Sequence, residues 1–175
     1  GVYASLEYTF TGYEEIFGLS DITTDEAIVP TRGRDWDDNG AWRVLHQHKW
    51  DPNHYIIGKC FKSLGGVVFA ATDMLRYNPT AQQEAEARFL RAWAMYWLLD
   101  MFDQVPYRDT GENVIKPARV RRGLEALDSI ISEINDVLPD LPDIPPFDNR
   151  GKANKYAANV LLMKCYLNKG VYINR

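Results

Sequence analysis

The segment that decides the fold runs from Glu84 to Tyr107 and reads EAEARFLRAWAMYWLLDMFDQVPY. Only four residues between Ala85 and Phe102 are charged, and neither Gly nor Pro interrupts the segment before Pro106. Good helix formers predominate, which predicts one long α-helix closed by the proline. A helix that is apolar around most of its circumference must be buried on several sides. We therefore expect this helix to form the centre of a larger α-helical body.

Four further helices are predicted around the central one, from apolar side chains spaced three and four residues apart. They lie at about residues 3–17, 53–77, 124–138 and 152–169. Gly18, Pro139 and Gly170 are expected to end the first, fourth and last helix, and Thr80 to cap the start of the central one. Loops are predicted at 18–52, 107–118 and 142–146, where Asp, Gly, Thr and Pro cluster.

The predicted fold class is all-α. The helices pair into TPR-like helical hairpins, with a long irregular loop between the first two helices. No exact repeat of tetratricopeptide length is present, so the likeness is one of architecture. A chain of 175 residues that is 46% hydrophobic can bury a substantial core, as one domain or a large piece of one.

Charge and composition exclude several classes of partner. The 20 basic and 24 acidic residues give a net charge of −4 without a long charged run, which argues against nucleic acid and against a polybasic membrane surface. No uncharged apolar stretch reaches the length of a transmembrane helix. Cys60 and Cys165 fall in apolar helical segments, where buried thiols are expected instead of a disulfide framework.

No sequence motif indicates catalysis. A Ser nucleophile elbow, an HExxH pair, a CxxC pair and a Gly-rich phosphate loop after a strand are all absent from the sequence. His46, His48 and His54 lack a further ligand at a fixed spacing, and the acidic residues at 35–38 lack the EF-hand pattern. We therefore predict a protein that is not an enzyme and that needs no metal and no cofactor.

One loop segment does combine residue types suited to binding. Residues 30–42 read PTRGRDWDDNGAW. A sugar has apolar faces and a rim of hydroxyls, so its receptor needs an exposed aromatic ring beside forked donors and acceptors. In the alternative interpretation Trp36, Trp42 and Trp50 anchor the loop on the helices. The residue types alone favour that alternative because Trp is usually mostly buried. Trp50, beside a helix start, is assigned a structural role.

The central helix also carries a family signature. Residues 86–92 read EARFLRA and residues 102–107 read FDQVPY, which resembles the "GEARFLRA … FGxVPx" pattern of the SusD/RagB family of nutrient-binding outer-membrane lipoproteins. Residues 150–162, RGKANKYAANVLL, are similar to the family's alanine-rich helix, which follows an "R-A/G-x-A/T" start. Residues 24–42 resemble the family's loop of the form "DE … P-T-R-G-x-D-W". The resemblance extends from about Asp21 to Gly170.

The resemblance implies non-catalytic binding of an oligosaccharide at the outer face of a bacterial outer membrane. The implied partner is a SusC/RagA-like TonB-dependent transporter, to which the protein delivers its cargo. Its membrane attachment would be a lipid anchor that is absent from this chain. Two alternatives stay open: a peptide-binding lipoprotein of the same family, and a helical protein–protein interaction scaffold that binds no small molecule.

By the same resemblance, characterised relatives draw glycan contacts from the corresponding loop. Arg34, Trp36 and Asn39 become the leading ligand-binding candidates, followed by Asp37 and Trp42. Three charges of the central helix belong instead to the family's structural signature and are expected to form buried or half-buried ion pairs: Glu86, Arg88 and Arg91.

The resemblance also predicts that residues 1–175 are a fragment. They would form the TPR-like part of a SusD-like domain, without the lipidated N-terminus and the C-terminal half. That half supplies further ligand contacts in relatives, and it can remain bound as a separate chain. Arg175 is the kind of residue that a trypsin-like cleavage leaves at a chain end.

Overall fold

The computed structural model describes residues 1–145, 147–148 and 151–173. Within these ranges the chain forms seven α-helices and one two-stranded β-hairpin. The helices are α1 (Val2–Thr11), α2 (Ile16–Ile22), α3 (Ala41–His46), α4 (Tyr55–Met74), α5 (Ala81–Phe102), α6 (Gly123–Val137) and α7 (Lys155–Ile173). The strands are β1 (Val105–Tyr107) and β2 (Arg119–Arg121). The predicted all-α, TPR-like fold class is confirmed.

Helix α5 is the predicted central helix, and its N-terminus has the predicted cap. The Gln83 backbone N–H donates to the Thr80 hydroxyl at 3.3 Å, and the Thr80 backbone N–H donates to the Gln83 side chain at 3.0 Å. This reciprocal pair is a capping box. The helix ends at Phe102, and the next residue, Asp103, has a positive φ of 50° and an N–H that donates to the Leu99 carbonyl. The helix therefore ends four residues before Pro106, the proline that was expected to close it.

The long helices pack in the order of the chain. Helix α5 contacts α4 on one side and α6 on another, and α6 also contacts α7. Leu127, Ile130 and Ile134 of α6 are buried, as its 3–4 spacing predicts. Helices α4/α5 and α6/α7 are the two predicted hairpins, and together they form the scaffold that carries residues 12–54.

Two of the three signature charges of α5 form the expected ion pairs. Arg88 Nε donates to Glu133 of α6 at 3.3 Å, and Arg91 Nε donates to the same carboxylate at 3.0 Å. The side chains of these three residues are 14–22% exposed. Glu86 instead accepts a hydrogen bond of 2.7 Å from Tyr3 of α1. The two arginines therefore link α5 to α6 by ion pairs, and Glu86 links α5 to α1 by its hydrogen bond with the Tyr3 hydroxyl.

The prediction of one first helix at about residues 3–17 is wrong in extent, because the structure has two helices there, α1 and α2. Gly12 ends α1, and its N–H donates to the Tyr8 carbonyl at 2.9 Å. Gly18, the expected end, lies inside α2. A Cβ there would lie 2.1 Å from the Tyr13 carbonyl oxygen, so only glycine permits this close approach. The expected loop 18–52 thus contains most of α2, all of α3 and a 3-10 turn at Asp38–Gly40.

Other boundaries also differ from the prediction. Helix α7 continues through the exposed Gly170, which was expected to end it, to Ile173. The expected loop at 107–118 begins within a β-hairpin that pairs Val105 with Arg121 and Tyr107 with Arg119. Pro146 and Arg150, which belong to two sequence motifs, lie outside the described residues.

Two sequence-based expectations about composition can be compared with the fold. Cys60 and Cys165 are buried and unpaired, as predicted, and burial raises the pKa of their thiols to about 12 and about 11. Among the described residues, no helix combines the length and the apolar character needed to cross a membrane.

Candidate functional site

The loop that carries the predicted ligand-binding residues begins with a tight reversal. Arg32 and Asp35 exchange two backbone hydrogen bonds, of 3.2 and 3.0 Å, around Gly33. Gly33 has a φ of 65°, which glycine adopts without steric cost. Arg34 is the second turning residue and is exposed. The reversal therefore presents Arg34 to solvent and brings the chain back at Trp36.

Several residues after the reversal have left-handed backbone conformations. Trp36, Asp38 and Asn39 have φ values of 56°, 41° and 53°. Asn and Asp tolerate this region, but a bulky residue there costs about 1–2 kcal/mol. The hydrogen bond from the Gly40 N–H to the Asp37 carbonyl, at 2.6 Å, closes the next turn. The chain thus bends repeatedly before it enters α3, and the Trp36 side chain is partly exposed.

Three aromatic rings meet at this loop. The Trp36 ring lies 5.1 Å from Tyr13 in an edge-to-face arrangement and 6.1 Å from Trp42. Tyr13 and Trp36 are 55% and 43% exposed, whereas Trp42 is 3% exposed. The Trp42 indole N–H donates to Asp38 at 2.6 Å, which fixes its ring in the core. We call the exposed pair, Tyr13 and Trp36, the aromatic platform; Trp42 is its buried support.

Four of the five predicted site residues lie in this loop, whereas Trp42, which was expected there too, lies in the first turn of α3. Arg34, Trp36 and Asn39 are exposed, so their polar groups or ring can reach a bound molecule. Asp37 is half-buried and accepts a hydrogen bond of 3.2 Å from Arg43 of α3. Trp42 is buried and therefore offers no open face. Ligand contact by these residues stays a prediction, and for Trp42 the geometry favours a supporting role.

The sequence pattern did not indicate Tyr13 as a site residue. The predicted first helix, at about residues 3–17, includes Tyr13, whereas the residue lies in the break between α1 and α2. The signal was Gly12, one residue earlier, because glycine commonly follows the last turn of a helix. The two acidic residues that follow Tyr13 hold the break against α4. Glu14 pairs with Lys59, and Glu15 accepts a hydrogen bond of 3.1 Å from Ser63.

Glu15 is fully buried beside the platform. One carboxyl oxygen takes the Ser63 hydrogen bond, and the other has no hydrogen-bond partner in the described part of the chain. Burial raises the pKa of Glu15, because desolvation disfavours the charged carboxylate. The segment that carries Tyr13 is thus attached to α4 by the Glu15 carboxyl group, which is costly to bury in its charged form.

A second exposed aromatic pair lies at the far end of the loop. His48 and Trp50 have ring centroids 5.3 Å apart, and Trp50 is 42% exposed. They line an open cavity of about 740 Å³ together with side chains from α2, α4 and α5, including Thr23 and Asp100. Trp50 was expected to anchor the loop, but its exposure makes it a second aromatic surface.

Two of the three histidines, His48 and His54, are held by backbone groups. A ring nitrogen of His48 bonds to the Thr23 carbonyl at 2.8 Å, and one of His54 bonds to the Ala41 carbonyl at 3.2 Å. Within the described ranges, no group of three or more His, Cys, Asp or Glu side chains could hold a metal ion. These two histidines thus connect the loop segments to one another.

Comparison with known proteins gives one distant similarity. No protein-family model matches the chain. The starch-binding protein SusD of Bacteroides thetaiotaomicron is 28% identical to it over 172 residues, which cover 91% of this chain and 29% of that protein. The chain therefore spans less than a third of the relative's length. This similarity supports a distant SusD-like relation.

Proposed function

We propose that this chain is the helical part of a non-catalytic carbohydrate-binding protein. The observation that carries the proposal is the aromatic platform, in which two exposed rings 5.1 Å apart rest on a buried third ring. An exposed aromatic ring can stack on the apolar C–H face of a sugar while its neighbour, inclined by 62°, contacts the edge of the ligand. Because Trp42 and the turns around it hold Trp36 in place, little side-chain entropy is lost when a ligand binds.

The polar groups near the platform have the chemistry that sugar hydroxyls require. Arg34 offers forked N–H donors, and Asn39 offers one acceptor and two donor hydrogens. Asp37 retains acceptor capacity beyond its bond to Arg43. Uncharged hydroxyls are matched by this mixture of donors and acceptors, whereas a strongly charged ligand would require an excess of one sign. The loop therefore suits a neutral oligosaccharide.

The relative's name supports the same class of ligand, because that protein binds starch. We extend the proposal to delivery of the bound oligosaccharide to a SusC/RagA-like TonB-dependent transporter, at the outer face of an outer membrane. Attachment there would use a lipid anchor outside this chain. These wider statements rest on the SusD/RagB resemblance and on the distant similarity.

The direct test is a binding measurement with defined ligands. Calorimetric titration of maltoheptaose and of other neutral oligosaccharides should give saturable heats. Random-sequence peptides of similar mass should give none. If peptides bind and oligosaccharides do not, the result would support the peptide-cargo alternative. If neither binds, the interaction-scaffold alternative would be favoured. Chromatography of the sugars after prolonged incubation should return them intact, since shortened products would overturn the non-catalytic assignment.

A further inference from the structure

Helix α7 is apolar on two opposite faces. Its inner face packs against α6 and α5 and buries Ala158, Leu161, Leu162, Cys165 and Tyr172. Its opposite face carries large apolar side chains spaced three and four residues apart, which are 46–80% exposed: Tyr156, Val160, Met163, Leu167 and Val171. At 3.6 residues per turn, these five fall within roughly a quarter of the helix circumference. We call them the outer stripe.

The outer stripe continues into an apolar groove between α1 and α7. The groove has a volume of about 540 Å³, and Phe10, Trp93, Tyr156 and Val160 contribute to its walls. Phe10 is 64% exposed although its ring lies 5.6 Å from Trp93. A continuous apolar surface of this kind marks an interaction site, because scattered exposed side chains do not line up along one helix.

The charges around this surface have one sign. Among the described residues, the only charged ones that line the groove are Lys152 and Lys164. Every charged residue of α7 is also a lysine, although the whole chain is net acidic at −4. Lys169 is already paired with Asp128 at 2.8 Å. A partner that complements the groove therefore carries carboxylates opposite Lys152 and Lys164.

The order of packing indicates the shape of the partner. Helix α5 lies between α4 and α6, and α6 contacts both α5 and α7. In such a stack each inner helix has two apolar sides, both covered by neighbouring helices. Helix α7 also has two apolar sides, but only its inner side is covered. The outer stripe therefore lies where a further helix of the stack would pack. The chain also spans only 29% of the relative's length, which leaves ample polypeptide for such helices in a longer protein.

We propose that an amphipathic α-helix covers the outer stripe and the groove, with an aliphatic inner face and acidic residues beside it. We assign this helix to the polypeptide that follows residue 175 in a longer form of the protein. The interaction is helix-on-helix packing with an acidic flank toward Lys164. It is independent of the sugar-binding proposal, since the groove and the aromatic platform have no lining residue in common.

Thiol labelling tests the proposal. Leu167→Cys places a reporter at the most exposed position of the outer stripe, and Ile115→Cys, at a site that is 88% exposed between the β-strands, is the matched control. The native Cys60 and Cys165 are fully buried and contribute little background. In the longer protein, the reporter at 167 should react about 100-fold more slowly than in the 175-residue chain. The control should react equally fast in both.

A charge variant adds a second measurement. Lys164→Glu should lower the protection of position 167 by about tenfold, where protection is the labelling rate in the 175-residue chain divided by that in the longer protein and both carry the substitution. This ratio removes the direct effect of the charge on the reporter thiol. Equal labelling of position 167 in the two proteins would overturn the proposal, as would a reading frame that ends at residue 175. Protection that grows with the concentration of the 175-residue chain would instead identify a second copy as the occupant. Protection that requires another protein would identify a separate partner.

Discussion

Replacing Trp36 by alanine separates the two interpretations of the binding loop. Truncation of a fully buried Trp costs about 3–5 kcal/mol of stability. Trp36 is 43% exposed, so roughly half of that contact is at stake, and we expect a loss of about 1.5–2.5 kcal/mol. The free energy of unfolding, measured by chemical denaturation, should therefore fall while the protein remains folded.

Trp36→Ala should also weaken the binding of oligosaccharide. Stacking of an aromatic side chain on a nucleobase contributes about 1–3 kcal/mol, and we apply that scale to a sugar ring. Affinity for the best oligosaccharide should then fall by about 5- to 150-fold. Calorimetric titration under conditions where both proteins are folded measures this change directly.

Trp50→Ala is the matched control, because Trp50 is 42% exposed and lies in the same long segment but outside the platform. We expect it to change stability by a similar amount and to leave oligosaccharide affinity within about twofold. A large loss of stability in Trp36→Ala with unchanged affinity would remove Trp36 from the site. Loss of binding in Trp50→Ala alone would move the site to the His48–Trp50 cavity and refute the platform as the binding surface.

Three further predictions test the scaffold that holds the platform. Gly18→Ala should destabilise the protein by about 2–4 kcal/mol, because its Cβ would lie 2.1 Å from the Tyr13 carbonyl oxygen. Gly66→Ala, in the open middle of α4, is its control and should stabilise by about 0.5–1 kcal/mol in the same denaturation assay. Glu133→Ala should cost about 2–4 kcal/mol of unfolding free energy, since two arginines of α5 lose their shared carboxylate; a change below 0.5 kcal/mol, on the order of an exposed pair, would contradict this. The buried Glu15 has a raised pKa in the folded protein, so the wild type should lose stability as pH rises above the ordinary value of 4.5 and through the raised pKa. Glu15→Gln should lack this slope, and parallel stability–pH profiles between pH 4 and 7 would contradict the assignment.

Local sequence patterns predicted the long helices well. In α5 and α6 the side-chain periodicity and the terminal residues agree with the packing, as the Thr80–Gln83 capping box and the buried Ile134 show. These features depend on residues a few positions apart, so a sequence contains them directly. The family signature in α5 added the expectation of ion pairs, which Glu133 of α6 completes.

Predictions that needed long-range contacts were less successful. Gly18 was expected to end a helix, yet it lies within α2, where the Tyr13 carbonyl and the Trp42 ring approach it so closely that a side chain has no room. The β-hairpin at residues 105–121 was missed because its strands have three residues each and carry no clear alternation. The pairing of these strands is stabilised by Arg121, whose guanidinium lies 3.7 Å from the Tyr107 ring centroid.

The candidate site shows the same division. The sequence by itself determined that the five predicted site residues lie close together in a segment rich in turn-forming residues: Arg34, Trp36, Asp37, Asn39 and Trp42. Only the tertiary structure decided that Trp36 is exposed while Trp42 is buried, and that Tyr13 joins Trp36 from another segment. Residue type sets what a side chain can bind, but exposure depends on which elements pack above it. That packing is set by contacts between residues far apart in the chain, which no local pattern records.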